Sequence, residues 1–378
     1  MDAFVPGASG RRTIVGKRRS KTSNGPNRNS VSRRARDGGR PEGSTGRKRD
    51  SNDRPRGRRS GRRSEREVVA EIADDISSLA ERLVRDGAAV ADMKLMHATL
   101  REMKRAFDVF SKYSHIRKVS TFGSARTPAD SPQYAQAREF SRRMADAGYM
   151  VITGAGPGIM QACNEGSGRD RSFGINIRLP FEQSANKIIH NDPKLVTFKY
   201  FFTRKLMFVK EADAIVLFPG GFGTHDEGFE SLTLMQTGKA KPLPVVFIDA
   251  PGGTYWKSWQ RYVKRHLRDE GLISEADMSL FRITDDIDVA IREIQHFYSR
   301  YHSQRYVGDR LILRLNGPIR DETLAELNEE FGDLVASGRI TQRIDPREED
   351  HPPASLEFHS SRRNFGRLRL LIDRINDD

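Results

Sequence analysis

Between residues 116 and 300, short β-rich runs alternate with helical patterns, and this alternation restricts the chain to a parallel sheet flanked by helices. The predicted strands are 117–122 (RKVSTF), 149–153 (YMVIT), 172–177 (SFGINI), 213–218 (DAIVLF), 244–248 (PVVFI) and 280–283. Helical periodicity falls at 132–147, 157–167, 200–210, 224–238, 254–270 and 285–300. The expected fold class is α/β, a doubly wound Rossmann-like parallel sheet.

Three further segments flank this domain. Residues 67–115 carry apolar stripes at spacings of three and four (Val69, Ile72, Ile76, Leu79, Leu83, then Val90, Met93, Met96, Leu100, Met103, Phe107, Phe110), which predict a helical hairpin. Its default role is packing, on the main domain or on a partner subunit. Residues 301–378 read as a small α+β extension: a strand at 310–315, a helix at 321–336, extended segments near 339–344 and 355–359, and a helix at 362–375. The stretch DPREEDHPP at 345–353 is a loop by composition.

Residues 1–66 contain no Leu, Trp or Tyr and many Arg, Ser, Gly, Asn and Pro. Such a segment cannot bury enough apolar surface to offset its chain entropy, so a disordered tail is expected. The tail also holds 21 Lys and Arg against 6 Asp and Glu, which leaves 44 basic against 45 acidic residues in the remainder. The formal charge of +14 therefore belongs to the tail, and a globally basic nucleic-acid-binding fold is excluded. Two readings of the tail stand side by side: a solvated appendage, or an arm that binds nucleic acid or other polyanions without sequence preference, by counterion release. No aromatic residues are interleaved for base stacking.

The single Cys163 rules out a disulfide framework or a Cys-rich metal site and fits a reducing compartment. No apolar run approaches the roughly 18 to 20 residues of a membrane span, and MDAFVPGASGRR lacks the apolar core of a secretory signal. A cytoplasmic location is expected, with no membrane partner, cofactor or metal.

Ligands of open parallel sheets bind at the carboxyl ends of the strands. Three junctions there are rich in small residues: Phe122-Gly123-Ser124-Ala125-Arg126, Gly154-Ala155-Gly156-Pro157-Gly158-Ile159-Met160, and Pro219-Gly220-Gly221-Phe222-Gly223-Thr224. Glycines let backbone N–H groups approach an anion, and the following helix presents its positive dipole end. A tight strand-to-helix turn would account equally well for any one of these loops. The third continues His225-Asp226-Glu227-Gly228-Phe229-Glu230, placing acidic groups on the first turns of the helix that would hold the anion. A dipole partner suffices to explain Asp226, whereas a carboxylate at Glu227 would repel a phosphate unless it serves a reaction. Upstream, Phe201-Phe202-Thr203-Arg204-Lys205 lies on a helix leading into the DAIVLF strand. Its cations are either solvated or aimed at the same crevice.

The run PGGFGTHDE, with the upstream Arg204-Lys205 pair, FGSAR and GAGPGIM, resembles the Lonely Guy family, once labelled lysine decarboxylases. Its PGGxGTxxE signature is matched by Pro219, Gly220, Gly221, Gly223, Thr224 and Glu227, and the resemblance spans about 116–300. It implies a phosphoribohydrolase that cleaves nucleoside 5′-monophosphates to free base and ribose 5-phosphate. It further implies that Arg204 and Glu227 are the catalytic pair. Ser124, Gly154, Gly156, Gly158, Lys205, Gly220, Gly221, Phe222, Gly223, Thr224 and Asp226 would bind the nucleotide, and the protein would be a homodimer or larger. FGSAR, GPGIM and LTLMQTGK are similar to the bacterial branch; Ala155 departs from the usual glycine, and His225 stands where Leu is common. FEQSAN at 181–186 is a candidate wall of the base pocket. A Schiff-base lysine with its supporting shell is not evident, so a decarboxylase is not expected. The alternative is a nucleotide or cofactor carrier without turnover, since the fold hosts both.

Overall fold

The computed structural model describes residues 64–179, 184–344 and 352–378. The expected disordered tail lies almost wholly outside these residues, as do part of FEQSAN and most of DPREEDHPP.

Two amphipathic helices come first, α1 (Glu65–Arg85) and α2 (Val90–Phe110). Gly87 turns the chain between them at φ 78°. No residue of α1 is buried, while α2 buries Ala106 and Phe110 near its C-terminus. The Phe110 ring stacks on Phe173 at 4.5 Å, which docks α2 on the sheet.

The central domain follows the expected alternation: β1 (Lys118–Phe122), α3 (Pro132–Asp146), β2 (Met150–Thr153), α4 (Ile159–Ser167), β3 (Ser172–Ile177), β4 (Leu195–Phe198), α5 (Phe201–Lys210), β5 (Ala214–Leu217), α6 (Phe222–Gln236), β6 (Val245–Ile248), α7 (Tyr255–Val263), β7 (Arg282–Thr284) and α8 (Ile287–His296). The seven strands pair in parallel in the order β4-β3-β2-β1-β5-β6-β7. Every residue of β1, β2, β5 and β6 is buried. Strands covered on both faces read as apolar runs, as in AIVL and VVFI, whereas β1 (KVSTF) buries Lys118, Ser120 and Thr121 by bonding their side chains to backbone carbonyls. Phe208 of α5 and Trp256 of α7 pack on one face, and Phe140, Cys163 and Ile291 of α3, α4 and α8 on the other. The chain leaves β1 for α3 and leaves β5 for α6, on opposite faces. The two strands are neighbours, so a crevice opens between their carboxyl ends, as topology requires.

The departures from expectation have local causes. β4 was not predicted: LVTF is a four-residue edge strand whose signal is too short to separate from the aromatic run of α5. Helix α4 begins at Ile159 rather than 157 because Gly158 takes φ 64°, outside the helical region. Helix α6 begins two residues earlier than expected, at Phe222, with Gly221 as its N-cap. The helix expected through 270 ends at Val263 and passes into a π turn, Lys264–Arg268.

The C-terminal unit comprises β8 (Tyr301–Val307), β9 (Arg310–Leu315), α9 (Asp321–Glu330), β10 (Val335–Ile344), β11 (Ala354–Ser360) and α10 (Phe365–Asn376). Its antiparallel sheet runs β10-β11-β9-β8, and helix and sheet close over a separate core. The polar edge strand β8 was also unpredicted. Helix α9 stops six residues short of expectation because β10 has begun by Val335. Helix α10 starts three residues late, after Arg362 and Asn364 at positive φ. Among the described residues no helix is long and apolar enough to cross a membrane.

Candidate active site

A cleft of about 510 Å³ opens at the carboxyl ends of the strands. The loop after β1 lends it Ser124 and Arg126, the loop after β2 lends Gly154, and α5 lends Arg204. The turn after β5 supplies Gly221, and the first turns of α6 supply Phe222, Gly223, Thr224, Asp226 and Glu227. Three loops distant in sequence thus share one wall.

Backbone hydrogen bonds join the loops. Ser124 N–H donates to the Pro219 carbonyl at 3.1 Å, and Ile159 N–H donates to the Ser124 carbonyl at 3.0 Å. Gly158 permits the second contact, since a Cβ there would lie 2.3 Å from the Ser124 oxygen. Gly220 serves the third loop in the same way: its Cβ would fall 2.1 Å from Thr224 Oγ1. Gly156 lies off the lining, where a Cβ would meet Met160 Cε at 2.7 Å. Gly156, Gly158 and Gly220 therefore shape the cleft from behind.

At the start of α6, the amides of Phe222 and Gly223 occupy the first two helical positions and have no carbonyl one turn earlier to bond. The Thr224 and His225 amides both donate to the Gly221 carbonyl, at 3.0 and 3.2 Å. Two free amides, the Thr224 hydroxyl and the helix dipole make this end of the cleft suited to an anion.

Arg204 reaches the cleft from α5, its Nε donating to the Ile175 carbonyl at 3.0 Å. Gly154 makes room for it, because a Cβ there would sit 2.6 Å from Nη2. Burial lowers the Arg204 pKa and the charge of Glu227 opposes that shift. A guanidinium so far above neutrality remains charged.

Glu227 is 8% exposed and lines the same cleft. Burial pushes its carboxyl up to about 7, against the pull of Lys205 and Arg204 and with a further push from Glu230 and Asp226. Lys205 lies beside the cleft rather than on its lining. Its ammonium bonds Asp226 at 2.7 Å and Glu230 at 2.8 Å and stands 4.0 Å from Glu227. Burial acts against that charge, but the hydrogen bonds to Asp226 and Glu230 outweigh it and its pKa is raised. Cys163 is fully buried in α4 with its thiol pushed up to about 11 by burial, which makes it inert.

Sequence reasoning did not find one support. The Tyr255 hydroxyl donates to the Gly220 carbonyl and lies 2.7 Å from His225 Nε2. A phenol has one proton, so His225 donates through Nε2–H. The Tyr255 ring meets the buried Trp256 edge-on at 4.7 Å, and Trp256 stands 5.5 Å from the His225 ring. These residues tie α7 to the turn before α6. Thirty residues separate His225 from Tyr255, and no motif marks the pairing. Met160 and Phe201 also line the cleft; both lay within quoted motifs without being assigned to the site.

A family model described as "Possible lysine decarboxylase" matches residues 158–294. That description is the older label of the Lonely Guy family. Over those residues the resemblance read from the signature is shown. Similar solved structures include TM1055, at 21% identity over 48% of this chain and 99% of that one, with a TM-score of 0.35. They also include the molybdenum cofactor binding protein of Rippkaea orientalis (16%, covering 48% and 96%, TM-score 0.35) and the molybdenum cofactor carrier protein of Chlamydomonas reinhardtii (18%, covering 48% and 96%, TM-score 0.34). A comparison with curated proteins gave no match.

Proposed function

We propose that the chain is a nucleoside 5′-monophosphate phosphoribohydrolase, releasing free base and ribose 5-phosphate. The observation that carries this reading is the meeting of a half-buried guanidinium, Arg204, with a buried carboxyl of pKa about 7, Glu227, beside the N-terminus of α6. A site that only held a phosphate would gain nothing from that carboxylate.

The 5′-phosphate takes the amides of Phe222 and Gly223 and the Thr224 hydroxyl, and Arg204, in the same lining, orients the ribose phosphate. Each charge-assisted bond contributes about 1.5 to 3 kcal/mol. The C1′–N bond breaks with its electron pair leaving on the base, and positive charge grows on the ribose as in glycoside hydrolysis. The Glu227 carboxylate faces that charge. It takes a proton from the attacking water, whose oxygen bonds C1′, and the proton passes to the departing base. A carboxyl of pKa about 7 can both accept and release a proton near neutrality.

The test is chromatographic detection of base and ribose 5-phosphate across a panel of nucleoside 5′-monophosphates. Wild type should release both from at least one. Glu227→Gln should retain nucleotide binding and lose turnover by about 100-fold or more. If no nucleotide is cleaved while several bind, the reading gives way to a carrier.

A further inference from the structure

A second concavity, of about 320 Å³, lies between α2 and the carboxyl ends of β3 and β4, and shares no lining residue with the nucleotide cleft. Arg101 and Arg105 enter it from α2, Arg178 from the end of β3, and Lys199 from the end of β4, beside His97 and Glu102. Glu102 offsets one charge of the four at most, and its oxygens are directed elsewhere. One of its oxygens accepts the Lys199 backbone N–H at 2.8 Å and the other accepts the Thr203 hydroxyl at 2.7 Å. Among the described residues, none of the four cations is recorded in an ion pair with a carboxylate.

Gathering four like charges around a hollow opposes folding. Arg101 and Arg105 are four apart on one helix, a spacing at which like charges repel. A bound anion with several charges removes that repulsion, and guanidinium groups match phosphoryl oxygens two at a time. The volume lies at the small end of ligand sites, and more than one phosphoryl group is needed to meet cations arriving from α2, β3 and β4. We infer that this pocket is a binding site for a compact diphosphate, either inorganic pyrophosphate or the diphosphate of a nucleotide. The site needs no hydrolase activity. Glu102, in its wall, also holds the first turn of α5, the helix that carries Arg204.

The experiment is calorimetric titration of the full chain with sodium pyrophosphate at low ionic strength. Wild type and Arg204→Ala should both bind it, because the nucleotide cleft is not required. Arg101→Ala/Arg178→Ala should bind it about tenfold or more weakly, with a melting temperature no lower than that of wild type and unchanged affinity for nucleoside monophosphate. Arg101→Lys/Arg178→Lys should fall between the two. A parallel titration of the Arg204→Ala chain with ADP separates the sources: affinity equal to pyrophosphate marks the inorganic ion, and tighter affinity marks a nucleotide. Pyrophosphate affinity that is unchanged in Arg101→Ala/Arg178→Ala, or lost in Arg204→Ala alone, overturns the site.

Discussion

Gly154 and Arg204 are paired by exclusion: a methyl group at 154 would stand 2.6 Å from Nη2 of the guanidinium. Gly154 is not among the residues at positive φ, so its backbone tolerates Ala and the clash falls on Arg204 and on the Met160 sulfur at 2.7 Å. Gly154→Ala should reduce turnover by about tenfold to 100-fold, as a misplaced catalytic group does, with little change in the denaturation midpoint. Circular dichroism melts alongside product assays would check this, and equal loss of stability and activity would refute it. Glu227 shows the converse relation. Its carboxyl moves from an ordinary value of 4.5 to about 7 on folding. The fold thus favours the protonated form, and this stabilisation is complete below pH 4.5 and is lost as pH rises through 7. At pH 8 the buried carboxylate costs about 3 kcal/mol. Glu227→Gln should therefore be more stable than wild type by up to about 3 kcal/mol at pH 8 and about equal to it at pH 4, measured by denaturant unfolding.

Helix α5 is held at its start by a residue from a different helix. Glu102 of α2 accepts from the Lys199 amide and the Thr203 hydroxyl, acting as a cap supplied in trans, since Tyr200 at the N-cap gives no side-chain bond. Glu102→Ala should destabilise the chain by about 1 to 2 kcal/mol and raise the dissociation constant for nucleotide, because α5 then positions Arg204 less firmly. Titration of the variant with a nucleoside monophosphate would show no change if α5 stands alone. Strands buried on both faces, such as DAIVLF, were legible because continuous apolar residues leave little ambiguity, and β7, β9, β10 and β11 were also placed near their observed positions. The edge strands β4 and β8 were not, because one exposed flank admits polar residues and their pairing is set by tertiary neighbours. The site shows the same division. Glycine loops and the Arg204 and Glu227 motif residues are written consecutively, whereas the Glu102 cap spans about a hundred positions and the Tyr255 tie has no local pattern.

Across the whole molecule, the C-terminal unit braces the parallel-sheet domain from the far end of α6. The Phe365 ring covers Gly238, just past α6, and Arg369 bridges Glu293 of α8 at 2.5 Å and Asp373 at 2.8 Å. Leu371, Ile372 and Ile375 are fully buried in the unit's own core. Each such side chain is worth about 2 to 5 kcal/mol, so deletion of residues 365–378 should lower the melting temperature by about 10 °C or more and open the C-terminal sheet to dye binding. A midpoint within experimental error of wild type would show that α10 is dispensable. Tyr255 gives the molecule a property unrelated to its chemistry. The chain has two tryptophans, and both lie in this neighbourhood: Trp256 against Tyr255 and His225, and Trp259 6.1 Å from Trp256. The Tyr255 hydroxyl is bound to the same turn that offers its amides to a phosphate. The intrinsic fluorescence of this protein is therefore an optical gauge of that turn, reading occupancy of the cleft without a label.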